Sequence, residues 1–143
     1  MIAIDTSGWT KIGQSANADF FEVEAHVLAV VPFDRCDDSA LTARESVRIQ
    51  LDYLRTKQRR AGVLVFMDRL ISQSAAAREV YRVAPDPRFQ ACFALIGGTI
   101  FGRAVGSFFI GINPPQVPTR LFPDAALALT WARTMATTAP EET

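Results

Sequence analysis

The residues best suited to chemistry in this chain are few and widely spaced. His26 is the single histidine, and the two cysteines are Cys36, which is followed by Asp37 and Asp38, and Cys92, which lies in an apolar run. One histidine excludes multi-histidine metal sites and Cys/His zinc fingers. The two carboxylates should raise the pKa of the Cys36 thiol and make it a poor nucleophile, and Cys92 is expected in the core. Because no nucleophile lies beside a base, the sequence predicts no enzyme, no metal and no cofactor.

Two loops could bind ions, although each has a simpler interpretation. Asp34, Asp37 and Asp38 form a small acidic loop, but their spacing fits no calcium loop and favours a solvated turn. Gly97 and Gly98 precede a predicted helix and could cradle a phosphate, but they match neither the dinucleotide nor the P-loop pattern. Glycines at 98, 102 and 106 are better explained by close approach of a helix to another backbone.

Length and composition are those of one globular domain. The chain has 143 residues and 15.7 kDa, with 49% hydrophobic and 21% charged residues, which excludes a disordered chain. Fifteen basic residues balance 15 acidic ones, so we expect no nucleic-acid partner. The absence of a secretory-signal pattern and the low cysteine count favour a cytoplasmic protein with reduced thiols. We expect residues 1–18 to be weakly structured or to add an edge strand, residues 19–136 to form the domain, and residues 137–143 to be a disordered tail.

The segment 91–112 looks like a membrane span because its single charge is Arg103. Three features argue against insertion. The arginine would lie near the bilayer centre, neither flank carries a basic cluster, and the hydrophobic period changes within the segment. We therefore expect a buried strand at 89–96, a turn at Gly97 and Gly98, and a helix at 99–112, with no membrane insertion.

Strand and helix patterns alternate along most of the chain. A continuous apolar run at 62–67 is typical of a strand covered on both faces. Thr42 and Glu45 match a capping box that begins a helix, and Ser72 is placed to cap the next one. The predicted elements are a hairpin at 19–23 and 26–31, a helix from 42, a strand at 62–67, a helix from 72 with Val80, Tyr81 and Ala84 inward, a strand at 89–96, a helix at 99–112, a strand at 117–122, and a helix capped by Asp124 with Leu127, Ala128, Trp131 and Met135 inward. This order, β-β-α-β-α-β-α-β-α, predicts a single-domain α/β fold with a mixed sheet on which the helices pack.

The C-terminal part carries the most specific sequence features. After the apolar strand come a helix that ends in Phe108-Phe109, a turn at Asn113-Pro114, a strand with the sequence PTRLF at 118–122, and a helix with Ala128 and Trp131. This order resembles the bacterial subgroup of the SpoIIAA-like (STAS-like) family, which is related in fold to anti-sigma-factor antagonists and to CRAL-TRIO lipid-binding domains. The resemblance runs from about residue 19 to residue 135. Most members of the subgroup have no known function, so it implies a fold more than an activity.

The resemblance also implies a position for a regulatory serine. In anti-sigma-factor antagonists, a serine of an Asp-Ser-Ser-Gly motif is phosphorylated at the start of the helix after the central strand. Here residues 68–75 read DRLISQSA, so the motif is absent but Ser72 and Ser74 are present. Both are candidate phosphoacceptors, because a phosphate at a helix N-terminus is locally favourable. The alternative is that Ser72 is only an N-cap.

The predicted helix at 99–112 is apolar on nearly all sides, in a chain with ten phenylalanines. Such a helix must be buried on more than one side. A neighbouring helix, a second subunit or a lipophilic ligand could cover it, and the sequence leaves these three open. The residues of the possible interface or pocket are Phe101, Val105, Phe108, Phe109 and Ile112.

These observations predict a non-enzymatic regulatory or protein-interaction domain of the SpoIIAA-like type that acts as a homodimer. The alternative is a binder of a lipophilic small molecule in a pocket lined by residues 99–112, which the relationship to CRAL-TRIO domains allows. The identity of a protein partner stays open.

Overall fold

A mixed sheet of six strands forms the centre of the computed structural model, which describes residues 4–99 and 116–138. The strands within these ranges are β1 (Thr10–Gln14), β2 (Ala18–Glu24), β3 (Val27–Pro32), β4 (Cys36–Asp38), β5 (Ala61–Phe66), β6 (Leu70–Gln73), β7 (Gln90–Ile96) and β8 (Thr119–Phe122). The helices are α1 (Ala40–Lys57), α2 (Ala75–Val83) and α3 (Ala125–Thr137), and a short 3₁₀ turn (Met67–Arg69) follows β5.

The large sheet has the order β1-β2-β3-β5-β7-β8. Strands β1, β2 and β3 pair antiparallel, and β3, β5, β7 and β8 pair parallel. A parallel pair needs a long crossover, which α1 supplies between β3 and β5 and α2 supplies between β5 and β7. The predicted α/β class, the hairpin and the parallel later strands are confirmed. The predicted helix at 99–112 lies outside the described residues.

Helices cover both faces of the sheet. The side chains of β3 and β7 are buried along their whole length, as expected for strands between two helical layers. Successive strand residues point to opposite faces, so Val63 belongs to the cluster beneath α1, and Leu64 belongs to the cluster beneath α3. Helix α2 packs beside α1.

Helix α1 begins at a capping box different from the predicted one. The Ser39 side chain accepts a hydrogen bond from the Thr42 amide, and the Thr42 hydroxyl accepts one from the Ser39 amide at 2.8 Å. The predicted box of Thr42 and Glu45 is therefore wrong. The Glu45 carboxylate instead accepts a hydrogen bond from the Ala16 amide at 3.0 Å, which joins α1 to the β1–β2 loop.

A second sheet of two strands, β4 and β6, is absent from the predicted elements. The two strands pair in parallel, and Asp38 lies opposite Gln73. Because Ser72 lies within β6, its predicted role as an N-cap is wrong. Ser74 caps α2 instead, and its hydroxyl accepts a hydrogen bond from the Ala77 amide at 3.0 Å.

Helix α3 lies against the sheet through a face of alanines, Ala128, Ala132 and Ala136, all of them buried. Gly62 of β5 makes this close approach possible. A Cβ atom at Gly62 would lie only 2.8 Å from both the Cβ atom and the carbonyl oxygen of Ala132. Small residues on both elements therefore set the distance between α3 and the sheet.

The predicted inner faces of the last two described helices are mostly correct. Trp131 and Met135 pack, partly buried, against the same cluster as the alanines of α3. Leu127 is 54% exposed, because the buried stripe runs through every fourth residue from Ala128 and Leu127 lies one position off it. In α2, Tyr81 points inward as predicted, whereas Ala84 is exposed because it follows the helix as its C-cap.

Candidate functional site

Asp38 is a buried carboxylate at the centre of a polar cluster, with only 5% of its surface exposed. Its Oδ1 atom accepts hydrogen bonds from the Thr42 hydroxyl at 2.7 Å and the Asn17 side-chain amide at 3.3 Å. Its Oδ2 atom accepts hydrogen bonds from the Tyr81 hydroxyl at 2.8 Å and the Gln73 side-chain amide at 3.0 Å. All four donors are neutral, so the carboxylate is solvated by the protein itself.

Five elements bring this cluster together. Asp38 ends β4, Gln73 ends β6 beside it, Thr42 lies in the first turn of α1, Tyr81 lies in α2, and Asn17 lies in the β1–β2 loop. The expectation of a solvated turn that includes Asp38 is wrong, because the short pairing of β4 with β6 carries this side chain under the two helices. The helical period predicted Tyr81 correctly as inward, but no local signal predicts its contact with Asp38.

Burial and the charge of Asp38 change the acidity of two neighbours. Burial, followed by the charge of Asp38, raises the pKa of Tyr81 well above its ordinary value, so Tyr81 remains a neutral donor. Burial, followed by the same carboxylate, raises the pKa of the Cys36 thiol. The predicted direction for Cys36 is therefore correct, although burial contributes more than charge.

A line of buried polar side chains continues from this cluster under α1. The Gln50 side chain donates to the Ser46 hydroxyl at 3.1 Å, and the Gln90 side chain donates to Gln50 at 2.9 Å. Gln90 in turn accepts a hydrogen bond from the Asp86 amide at 2.9 Å. Ser46 lies near enough to Tyr81 to influence its pKa, so the line begins beside the Asp38 cluster and reaches the start of β7.

A cavity of about 50 Å³ adjoins the cluster. Its apolar wall contains buried side chains of the sheet and of the 3₁₀ turn, among them Val30, Met67, Phe93 and Leu95. Its polar residues include Asp38, Gln73 and Tyr81. An apolar wall with a few convergent polar groups is typical of the lining of small-molecule sites, and the small volume limits an occupant to a few atoms.

Gln73, one of the residues that line this cavity, carries an unusual side-chain oxygen. The Gln73 Oε1 atom is buried and has no hydrogen-bond partner among the residues that the structure describes. Its orientation follows from the other half of the amide, because exchanging the two atoms would place an oxygen against the Asp38 carboxylate. Buried acceptors are normally paired, so a hydrogen-bond donor is expected next to this oxygen.

The two candidate phosphoacceptors lie on the surface beside the cluster. Ser72 and Ser74 are both exposed. The Ser72 hydroxyl donates to Asp37 Oδ1 at 2.5 Å across the β4–β6 pair. Ser74 caps α2, and the Arg78 guanidinium is held at the same helix end by a bond to the Gln73 carbonyl at 2.9 Å.

Residues 33–136 match the model of a family described as a domain of unknown function, DUF7793. The match covers more than half of the chain. The chain belongs to the DUF7793 family. No curated protein matches it. The DUF7793 match contains β4, α1, β6 and α2, and with them four of the five residues of the Asp38 cluster; Asn17 precedes it.

One similar solved structure is that of an uncharacterized protein of the DUF3478 family with a SpoIIAA-like fold from Shewanella loihica PV-4. It is 12% identical to this DUF7793 member, with a TM-score of 0.49, and the similarity covers 91% of this chain and 99% of that one. The fold class of the chain rests on the strand order described above.

The glycine turn after β7 in this DUF7793 member already has an anionic partner. The Asp68 carboxylate accepts hydrogen bonds from the Gly98 amide at 2.8 Å, the Thr99 amide at 2.9 Å and the Thr99 hydroxyl at 2.6 Å. These bonds outweigh desolvation and lower the pKa of Asp68. The amides that could have cradled a phosphate therefore bind a carboxylate of the same chain.

The remaining candidates are separate from the cluster. His26 lies in the exposed β2–β3 turn with its Nδ1 atom 2.8 Å from the Arg60 carbonyl oxygen. Cys92 is buried in β7 as predicted, and burial raises the pKa of its thiol to about 12. Phe101, Val105, Phe108, Phe109 and Ile112 lie outside the described residues.

Neither a metal-binding cluster nor a membrane-crossing helix occurs in the part of the chain that the structure describes. Residues 4–99 and 116–138 contain no group of three or more His, Cys, Asp or Glu residues that could hold a metal ion. None of the helices in those ranges combines the length and the hydropathy that a membrane span requires.

Proposed function

We propose that this chain is a non-enzymatic regulatory domain that acts through protein contacts, as a homodimer in the cytoplasm. The surface junction between β6 and α2 carries the proposal. Ile71, Ser72 and Ser74 are exposed there, and the SpoIIAA-like resemblance implies a switch serine at the start of this helix. Ser74, which caps α2, occupies that place in this chain.

A phosphate would act differently on the two serines of this junction. On Ser74, about two negative charges would lie at the positive end of the α2 dipole, near the Arg78 guanidinium. On Ser72, the same charges would face the Asp37 carboxylate, and repulsion would separate β6 from β4. Ser74 is therefore the phosphoacceptor of this proposal, and Ser72 is a contact of the small sheet.

The test is fragmentation mass spectrometry of the protein isolated from the cells that produce it, across growth conditions. The proposal expects one phosphate, located on Ser74. Phosphate on Ser72, or no phosphate on Ser74 under any condition, would contradict the switch. Turnover of generic ester or phosphate substrates that is lost in His26→Ala would contradict the non-enzymatic part.

The homodimer rests on the apolar segment at 99–112 and on the balanced charge. Phe101, Phe108 and Phe109 are typical of residues that a second subunit covers. The 15 basic and 15 acidic residues leave no net charge to keep two copies apart.

Substitution of one phenylalanine tests the dimer. We expect Phe109→Glu to shift the protein from dimer to monomer in sedimentation velocity. Leu41→Glu is the matched control, because it adds the same charge at a side chain that is 66% exposed at the start of α1. Equal masses for both variants, with unchanged circular dichroism, would contradict residues 99–112 as the interface.

A second function, binding of a lipophilic small molecule, is favoured by the cavity beside Asp38. The side chains of Val30, Met67, Phe93 and Leu95 supply it with an apolar wall. Release of a small molecule when purified native protein is denatured in the mass spectrometer would support this function. A crystal structure in which side chains fill this cavity completely would contradict it.

A further inference from the structure

We propose that the cavity beside Asp38 binds a small organic ammonium group, with the cationic head at Asp38 and Gln73 and a short alkyl body against the apolar wall. This inference rests on the second proposed function, that the cavity takes a ligand. It adds the chemical class of that ligand. A neutral lipophilic molecule would satisfy the second proposed function but not this one.

The charge of the cluster favours a cation. Asp38 is buried, and among the described residues its hydrogen-bond partners are all neutral, with no arginine or lysine paired to it. Burying a carboxylate without an opposite charge is costly. An ammonium group in the adjoining cavity would supply that charge.

The unpaired oxygen of Gln73 favours a donor at the same place. Its amide nitrogen is used by Asp38 at 3.0 Å, so the buried Oε1 atom needs a donor from outside the cluster. An ammonium group carries three N–H donors and no acceptor. One donor can pair with Gln73 while the charge faces the carboxylate, so a single group answers both requirements.

The volume limits the part of the ligand that is buried. A water molecule needs about 10–15 Å³ of such space, and an engineered cavity of about 150 Å³ holds benzene. A cavity of about 50 Å³ therefore takes the head and two or three carbons. Water alone would pair with the polar residues but would leave the apolar wall without contacts.

Three probes of similar size separate the possible outcomes. We would titrate the full chain, labelled with ¹⁵N, with n-propylammonium and with n-propanol to millimolar concentrations, and expose it to xenon. We expect n-propylammonium to bind more tightly than n-propanol and to shift the side-chain amide signals of Gln73 and Asn17. Equal or tighter binding of n-propanol would contradict a cationic head.

Substitutions then locate the head. We expect Gln73→Met and Asp38→Asn each to weaken n-propylammonium binding by about tenfold or more, because each removes an acceptor from the head. Asp52→Asn is the matched control, since it removes the same charge from the surface of α1, and it should leave binding unchanged. If Asp38→Asn does not fold, Gln73→Met alone decides. Unchanged affinity in the folded variants would overturn the inference.

The failure of this inference differs from the failure of the second proposed function. Xenon or n-propanol in the cavity without n-propylammonium would leave a lipophilic site and overturn the ammonium head. Exclusion of all three probes, with ordered water at Gln73 in a crystal structure, would overturn both.

Discussion

Asp38→Asn should destabilise this protein far more than its neighbour Asp37→Asn. The carboxylate of Asp38 accepts hydrogen bonds from four donors, two on each oxygen. Asparagine has nearly the same shape but turns one of those oxygens into an N–H₂ donor. Whichever oxygen is replaced, the two donors that it served then face an N–H₂ group, which cannot accept their hydrogen bonds.

The expected loss follows from these contacts. The hydroxyls of Thr42 and Tyr81 can rotate, but at least one buried donor remains unpaired, which costs about 1–3 kcal/mol. The remaining bonds change from charge-assisted to neutral, which removes about 1 kcal/mol more. We therefore expect the free energy of unfolding to fall by about 2–4 kcal/mol, a large part of the ~5–15 kcal/mol of a typical domain.

Urea unfolding followed by circular dichroism and by tryptophan fluorescence measures this loss. With a slope of about 1–3 kcal/mol/M, the midpoint should fall by about 1–2 M while the slope stays the same. Asp37→Asn removes the same charge, but its side chain contacts Ser72 at the surface, so its effect should stay within about 0.5 kcal/mol. If Asp38→Asn does not fold, Tyr81→Phe removes one of the four donors and should cost about 1 kcal/mol.

Equal midpoints for Asp38→Asn and Asp37→Asn would contradict the claim that the four donors stabilise the Asp38 carboxylate. Such a result would mean that the Asp38 carboxylate is hydrated rather than held by the protein. It would also remove the argument that the adjoining cavity favours a cation.

Three further predictions follow from the fold. Gly62→Ala should lower the free energy of unfolding by about 1–3 kcal/mol, because its Cβ atom would clash with Ala132 of α3. Gly98→Ala should change the urea midpoint little, because the nearest atom to its Cβ atom would be 3.5 Å away. Ser74→Ala should lower the free energy of unfolding by about 1 kcal/mol, because the helix cap is lost. Ser74→Asp should keep most of that stability. A larger loss in Ser72→Ala than in Ser74→Ala would contradict the assignment of Ser74 as the cap. Burial raises the pKa of the Cys92 thiol in the folded protein to about 12, from an ordinary value of 9.0. The neutral thiol therefore contributes its full stabilisation below pH 9, and this contribution is lost as the pH rises toward 12. The free energy of unfolding should therefore fall there by up to about 1.4 kcal/mol per pH unit, and Cys92→Ala should reduce that slope; an unchanged slope would show that the thiol is accessible in the folded state.

The sequence predicts those elements whose signals are local. The apolar runs at 62–67 and 89–96 correspond to β5 and β7, because a strand buried on both faces needs a continuous apolar run. The hairpin of β2 and β3 follows from two such runs joined by a short turn. These signals depend on neighbouring residues alone.

The candidate site could not be predicted, because its signals are not local. Strand β4 has three residues, two of them aspartates, and this composition is typical of a solvated turn. It becomes a strand only by pairing with β6, more than thirty residues later. The burial of Asp38 depends on donors from four other elements, and the same pairing moves the cap of α2 from Ser72 to Ser74.

Native mass spectrometry of the purified full chain, repeated after denaturation, tests the proposed homodimeric regulatory domain most directly. We expect a native mass of twice 15.7 kDa that returns to a single chain on denaturation, with any phosphate that stays attached located on Ser74. A native mass of one chain at every concentration would contradict the homodimer.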